Sequence, residues 1–353
     1  MNIESTYETS QELPMRNGKF ANSEVVNKNT LRDFLSISWA YLTSEREETT
    51  PKKPMPVQEI SAEQLDEENE DVVYRLGHST VLVRLDGQWI LTDPVFSDRA
   101  SPVQWMGPKR FHQPPIALQD LPAIDVVLIS HDHYDHLDKA AVKVLADKVG
   151  YFLVPLELGK LLIKWGLPAE KIHEFSWWQS AKLGSIEFAF TPTQHFSGRG
   201  LNDRNSTLWG SWVMKGAQKS LFFSGDSGYF SGFKQIGERF GPFDLTLVET
   251  GAYSSLWSEV HMFPDQSLQA HIDLRGKVML PIHNSTFDLS LHRWYEPLEQ
   301  VAALAHNLNV QVTTPMIGER MVLSEPKPLE KWWRSSVTTP VADVAPQQAY
   351  DAT

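Results

Sequence analysis

Hydrophobic positions along the chain change texture near residue 72. Before that point they are scattered in polar sequence; after it they come in short runs closed by turn residues. VYRLGHSTVLVRLDGQWILTD (73–93) alternates in the way a β-hairpin does, with Asp86-Gly87 as its tight turn. Further strands are predicted from IDVVLIS (124–130), SIEFAFTPTQ (185–194), GSWVMKG (210–216), KSLFFSGD (219–226), DLTLVE (244–249) and KVMLPIH (277–283). Between them, helical spacing predicts helices over 138–149, with Asp138 as N-cap, and over 156–165, 230–239, 264–274 and 297–306. Strands first, then strands interleaved with helices, predict a layered α/β architecture.

The flanks read differently. Residues 1–71 form an N-terminal arm and acidic linker. Leu31, Phe34, Leu35, Trp39 and Leu42 predict a helix over 30–43 that packs on the body, and Pro51, Pro54 and Pro56 end it. The body is expected over 72–323. Residues 324–353 are Pro-, Ala- and Thr-rich and read as a tail in which only Trp332 and Trp333 are candidates to dock.

Composition narrows the classes. The longest apolar runs, such as Val126–Ile129 and Leu161–Ile163, fall far short of the ~20 residues of a membrane helix. The start, MNIESTYETS, has neither the basic nor the apolar region of a secretory signal, so a cytoplasmic protein is expected. Of the net charge of -12, the first 71 residues carry -8, and Glu59–Asp71 holds seven acids and no base. That acidity reads as a solvated linker. No block of Lys and Arg points to nucleic acid. The 353 residues contain no cysteine, which removes disulfides, thiolate metal sites and cysteine nucleophiles. Any metal must be held by nitrogen and oxygen.

The segment SHDHYDHLD (130–138) is where chemistry concentrates. It places His131, His133, Asp135 and His136 directly after the apolar strand Val126–Ile129. His131 and His133 share one face if extended, while Asp135 and His136 turn toward a second point. One ion seldom takes four ligands from six consecutive residues, so the spacing suits two cations better than one. His195, Asp226 and His283 also fall just past predicted strands, where α/β sheets gather functional groups. Five His and two Asp suit Zn(II), with Fe or Mn as alternatives. Gly225–Gly228 spells GDSG, like a serine protease loop, but those domains are all-β and secreted and need a separate His and Asp in a different order, and here the metals claim Asp226.

HDHYDH matches the HxHxDH signature of the metallo-β-lactamase superfamily, with His195, Asp226 and His283 in the order of its later motifs. The stretches GHSTVLVRLDGQWILTDPVFSDRASPVQWMGPKRF (77–111), TPTQHFSGR (191–199), LWGSW (208–212), FFSGDSGY (222–229) and TFDLSLHRWYEP (286–297) resemble more closely the N-acyl-phosphatidylethanolamine-hydrolysing phospholipase D family and its bacterial relatives. The resemblance runs over about 72–320. It implies a four-layer αβ/βα sandwich and two zinc ions per chain. His131, His133 and His195 would hold one, Asp135, His136 and His283 the other, with Asp226 bridging. A hydroxide between the ions would attack phosphorus in line, Asp135 being a further candidate proton relay.

The resemblance also implies a phospholipid-like or other phosphodiester substrate, peripheral membrane contact and a homodimer. His261 and His292 match positions near the family's cleft, and Trp105, Trp209 and Trp257 are candidates to wall an apolar channel. A structural role is expected for His78 in the GHST turn. The chain departs from the family at Asn284 and Ser285, where Trp and Gly are usual, and at Phe263, where a small polar residue is common. These departures bear on the substrate rather than on the metals. A lactonase or another metallo-hydrolase of small esters is the competing enzyme reading, and a metal-binding protein without catalysis is the reading from another class.

Overall fold

The computed structural model describes residues 4–6, 13–24 and 47–338, and the helix expected over 30–43 lies outside these. The arm contributes strand β1 (Glu4–Thr6) and the hairpin β2 (Met15–Arg16) with β3 (Lys19–Phe20). The body begins with helix α1 (Ala62–Asp66), then strands β4 (Val72–Gly77), β5 (Thr80–Leu85), β6 (Gln88–Thr92) and β7 (Ile124–Leu128). Next come α2 (Lys139–Leu145), β8 (Val149–Pro155), α3 (Gly159–Lys164) and β9 (Ile172–Phe175). The second half holds β10 (Ser180–Leu183), β11 (Ile186–Thr191), β12 (Ser211–Lys215) and β13 (Ser220–Phe223). It continues with α4 (Gly232–Phe240), β14 (Phe243–Glu249), α5 (Pro264–Asp273) and β15 (Gly276–Ile282). The last elements are α6 (Glu296–Leu308), β16 (Gln311–Val312) and β17 (Arg320–Val322).

Two large sheets result beside the small β2-β3 pair, ordered β17-β4-β5-β6-β7-β8-β9 and β1-β10-β11-β12-β13-β14-β15-β16. Alternation along the strands builds the layers. Val81, Val83 and Leu85 of β5 face the other sheet, where Phe188, Phe190, Trp212 and Leu245 meet them. Leu82, Leu91 and Val127 point outward to α2 and α3, and Ala189, Val213 and Phe222 point outward toward α4 and α5. Sheets buried on both faces need apolar residues at both phases of the alternation. The four-layer αβ/βα sandwich is therefore the observed architecture.

The 73–93 stretch forms three strands rather than one hairpin. Asp86 and Gly87 turn at φ 48° and 80°, the pair of left-handed residues that a type I′ turn requires, with Leu85 opposite Gln88. The second reversal falls in the GHST turn, at Gly77 (φ 135°) and His78 (φ 53°). The predicted helices form with shifted ends, α2 and α3 shorter and α6 longer than predicted, and the Asp138 carboxylate accepts from the Ala140 amide at 2.9 Å as an N-cap does. The acidic linker is partly built in: Ser61 and Gln64 close a capping box on α1, and Glu68 pairs with Arg320 of β17 at 2.6 Å. Trp332 and Trp333 dock beside Trp294, Tyr295 and Leu298, with the Trp333 indole donating to Glu299 at 2.7 Å. Among the described residues no helix is long and apolar enough to cross a membrane.

Strand direction decides where chemistry can gather. β6 and β7 run parallel, as do β13, β14 and β15, and the antiparallel steps β4-β5-β6 and β11-β12-β13 bring β4 into the same sense as β6 and β11 into the same sense as β13. Residues just past the carboxyl ends of these strands share one edge of the sandwich.

Candidate metal centre

The loop after β7 is shaped by its own backbone and by one buried carboxylate. Asp93, following β6, accepts from the Ser130 amide at 2.7 Å and from its hydroxyl at 2.5 Å. The amides of His136 and Leu137 then return to the His133 carbonyl at 3.1 and 2.8 Å, forming a tight turn. From outside, Arg199 donates to the carbonyls of Asp132 and Leu137, and its guanidinium lies 3.9 Å from the Tyr134 ring centroid. His131 and His133 consequently aim at one point, and Asp135 and His136 at another.

Two groups of ligand atoms form around these points, one of His131, His133, His195 and Asp226, the other of Asp135, His136, His283 and His78. In the first, the His133 Nδ1 lies 2.9 Å from the His131 Nε2 and 3.2 Å from the His195 Nε2, with Asp226 Oδ2 at 3.8 and 3.7 Å from those two Nε2 atoms. In the second, Asp135 Oδ2 lies 3.5 Å from the His136 Nε2 and 3.3 Å from the His283 Nε2. The same Asp226 oxygen sits 3.1 and 3.2 Å from those two nitrogens. A tetrahedral ion with bonds of about 2.0–2.1 Å has edges of roughly 3.3 Å, so these spacings fit a cation in each group. The buried Asp226 Oδ1, His136 Nε2 and His283 Nε2 make no hydrogen bond within the protein. Buried polar atoms left without partners are costly, and a cation between His136 and His283 would satisfy both nitrogens and draw on the Asp226 carboxylate.

The electrostatics distinguish the two groups. Burial drives the His131 and His195 imidazoles well below their ordinary range, so they are neutral donors. Burial also disfavours charge on His136 and His283, but Asp226 and Asp135 outweigh it, holding His136 well above its ordinary value and His283 at about 10. Reciprocally, burial raises Asp135 and Asp226, while His136, together with His283, wins and holds both carboxyls well below the usual range. The second point therefore favours positive charge strongly.

Several supporting residues escaped the sequence reading. Asp93 Oδ2 lies 2.6 Å from the His136 Nδ1, the carboxylate–imidazole arrangement that orients metal ligands. His78, expected to be structural, has its Nε2 3.0 Å from Asp135 Oδ2. Glu249, fully buried at the end of β14, accepts from the Met262 amide at 2.7 Å and engages the His261 Nδ1 at 2.9 Å. Gly251 packs so close that a Cβ there would sit 2.2 Å from the His283 carbonyl oxygen. Asp93, His78 and Glu249 all stand at strand ends, the same signal that singled out His195, Asp226 and His283.

A cavity of about 290 Å³ opens over the centre. His133, Asp135, His195, Asp226, His261 and His283 face it, and Phe196, Trp257, Val260 and Leu289 give it an apolar wall. Of the substrate candidates, His261 and Trp257 line this cavity. Trp209 does not: it is fully buried, its indole donating to Asn22 and to the Thr193 carbonyl, and it belongs to the core between the sheets. Trp105 is 75% exposed on the loop after Ser101 and does not line the cavity. His292 stacks on Tyr253 and borders a separate small recess behind His283. The family departure at Asn284 also faces inward, where its carbonyl and side-chain oxygens each accept from the buried Arg75 at 2.7 Å. Phe263 packs on Tyr253 at the start of α5.

Comparison with known proteins agrees with this geometry. A family model described as the beta-lactamase superfamily domain matches residues 88–284. An uncharacterized protein of Mycobacterium tuberculosis is 41% identical over 324 residues, covering 90% of this chain and 87% of its own. The N-acyl-phosphatidylethanolamine-hydrolyzing phospholipase D 1 of Caenorhabditis elegans is 38% identical over 264 residues, covering 71% of this chain and 74% of its own. Among solved structures, Igni18, a metallo hydrolase of the archaeon Ignicoccus hospitalis, superposes with a TM-score of 0.54 at 23% identity, covering 72% of this chain and 98% of that one. The protein is a metal-dependent hydrolase of the metallo-β-lactamase superfamily, and within it the chain belongs to the family of the N-acyl-phosphatidylethanolamine-hydrolysing phospholipases D.

Proposed function

We propose that the protein is a dinuclear zinc phosphodiesterase of phospholipase D type that acts on phospholipid-like diesters. The observation that carries this reading is Asp226, whose Oδ2 stands within 4 Å of ligand nitrogens in both groups, beneath a cavity with an apolar wall. His131, His133 and His195 would hold one ion and Asp135, His136 and His283 the other, with Asp226 between them. When bound, such a pair activates a water molecule and clamps the phosphoryl oxygens of an in-line displacement.

The chain's own residues supply the rest. Asp93 and His78 fix the orientation of His136 and Asp135. Glu249 accepts a hydrogen bond from the His261 Nδ1–H and leaves its Nε2 as the group to meet the phosphodiester. Phe196, Trp257, Val260 and Leu289 offer the acyl portion a dry surface. Water adds to phosphorus, the bond from phosphorus to the headgroup oxygen breaks, and a phosphatidate-like product and the headgroup alcohol leave. The exposed Trp105 and Met106 support a peripheral membrane contact through the loop that carries them. The homodimer implied by family membership is part of the same reading.

The test sets bis-p-nitrophenyl phosphate and N-acylphosphatidylethanolamine micelles against a lactone panel, with and without chelator. Diester turnover that chelator abolishes and zinc restores is the expected result. Lactone turnover without diester turnover would overturn the reading in favour of a lactonase.

A further inference from the structure

Part of the N-terminal arm reaches the metal centre. Phe20 is buried in the core between the sheets, and its amide donates to the Asn205 carbonyl at 3.1 Å. Two residues later the Asn22 side chain meets the peptide of His195, 173 positions away. Its Nδ2 donates to the His195 carbonyl at 2.9 Å, and its Oδ1 accepts from the His195 amide at 3.0 Å. That same oxygen also accepts from the Trp209 indole at 3.0 Å. Glu24 then takes the amide and hydroxyl of Ser231, at 3.0 and 2.6 Å, on the loop that follows Asp226. The arm thus ties down two of the loops that carry the candidate ligands.

We propose that Asn22 is a positioning residue for the metal centre, bracketing the His195 peptide so that the imidazole meets His131 and His133 at one point. The proposal rests on the dinuclear reading above. His195 lies beyond the end of β11 and one residue past the isolated bridge of Gln194 to Gly228; among the described residues no strand pairs with His195 itself, and the Asn22 amide takes that place. Only a primary amide side chain offers a donor and an acceptor side by side. The ring itself is steadied separately, with the His195 Nδ1 3.0 Å from the Val260 carbonyl oxygen. Peptide and ring together leave the Nε2 little freedom, 3.2 Å from the His133 Nδ1. This also accounts for Trp209, whose indole donates to the same amide oxygen.

The experiment compares full-length wild-type protein with Asn22→Ala and Asn22→Asp, the latter keeping the acceptor and losing the donor. Three quantities are read: zinc per chain under chelator challenge, the zinc concentration giving half-maximal diester turnover, and the melting temperature of the zinc-stripped protein. Loss of an outer partner typically weakens metal binding by about 10–100-fold. Both variants are expected to melt near the wild-type temperature when stripped, to lose one zinc about 10–100-fold faster, and to recover turnover in excess zinc. Trp209→Phe, which leaves the amide in place, should have a smaller effect. Wild-type zinc retention in both Asn22 variants would overturn the proposal. So would lost turnover in variants that still hold two zinc ions, or failure of both to fold. Wild-type protein that binds a single zinc would instead sink the dinuclear reading, and the Asn22 comparison would still be read at that one site.

Discussion

The two halves of the metal centre are built from similar residues on opposite principles. Around His131, His133 and His195 the supports are neutral: the Ser130 hydroxyl lies 2.9 Å from the His131 Nδ1, and the Val260 carbonyl holds His195. Around His136 and Asp135 they are ionisable, with Asp93 behind one and His78 behind the other. A carboxylate behind an imidazole raises its basicity as a ligand, whereas a neutral oxygen mainly fixes its tautomer. The first half is therefore defined by geometry and the second by charge, and perturbations should separate them.

The largest expected effect removes what the halves share. Asp226→Ala should lower diester turnover on the order of 10²–10³-fold or more and weaken zinc binding in both halves, as read by turnover and metal analysis. Retention of two tightly held zinc ions would show that Asp226 does not join them. Next, Asp93→Asn keeps the shape and removes the charge behind His136. Zinc in the second half should bind about 10–100-fold more weakly, while the first half keeps its ion under the same chelator challenge. Equal loss from both halves would erase the distinction drawn here. His78→Gln should be milder, within roughly tenfold in zinc affinity, because Asp135 retains His136 and His283 as neighbours.

The smallest effect on the centre, and a baseline for any acid titration of it, comes from His271. It is buried away from both halves with Thr246 Oγ1 2.7 Å from its Nδ1, and burial holds its imidazole down to about 4. The unfolded chain takes up this proton near pH 6.5 and the folded chain only near 4. Its contribution is fully present above about 6.5 and is lost as pH falls toward 4, by on the order of 3 kcal/mol. Urea midpoints of wild type and His271→Gln, each at pH 7 and 4.5, measure it. A wild-type curve as steep as the variant's would rule this assignment out.

Much of this centre was legible before any coordinates. HDHYDH after an apolar strand announced its own geometry, because a strand end fixes direction and six residues fix reach. His195, Asp226 and His283 followed from one rule, that chemistry collects past the carboxyl ends of strands. The same rule reaches Asp93, His78 and Glu249, and it was applied too narrowly. Trp209 was misread because periodicity does not tell a cleft wall from a core residue, and its burial is set by the opposite sheet. Strands β8, β9 and β10 carry weak patterns on their own and form because their neighbours supply ladders, on both sides for β8 and β10 and on one side for β9 at the sheet edge. Asn22 had no local signal at all. Its partners lie about 170 residues away, and a lone asparagine in a polar arm gives no sign of them.

The pairing of β17 with β4 has a consequence for how the protein is made. Met321 lies opposite Val73, about 250 residues earlier in the chain, so the edge of the first sheet stays open while everything between is synthesised. At about 5–20 residues per second, that interval is roughly 12–50 seconds on the ribosome. During it, the outer edge of β4 keeps its backbone donors and acceptors without a partner strand from its own chain. The nascent protein thus passes through a long window in which that open edge is available for pairing with other chains before its own partner strand arrives.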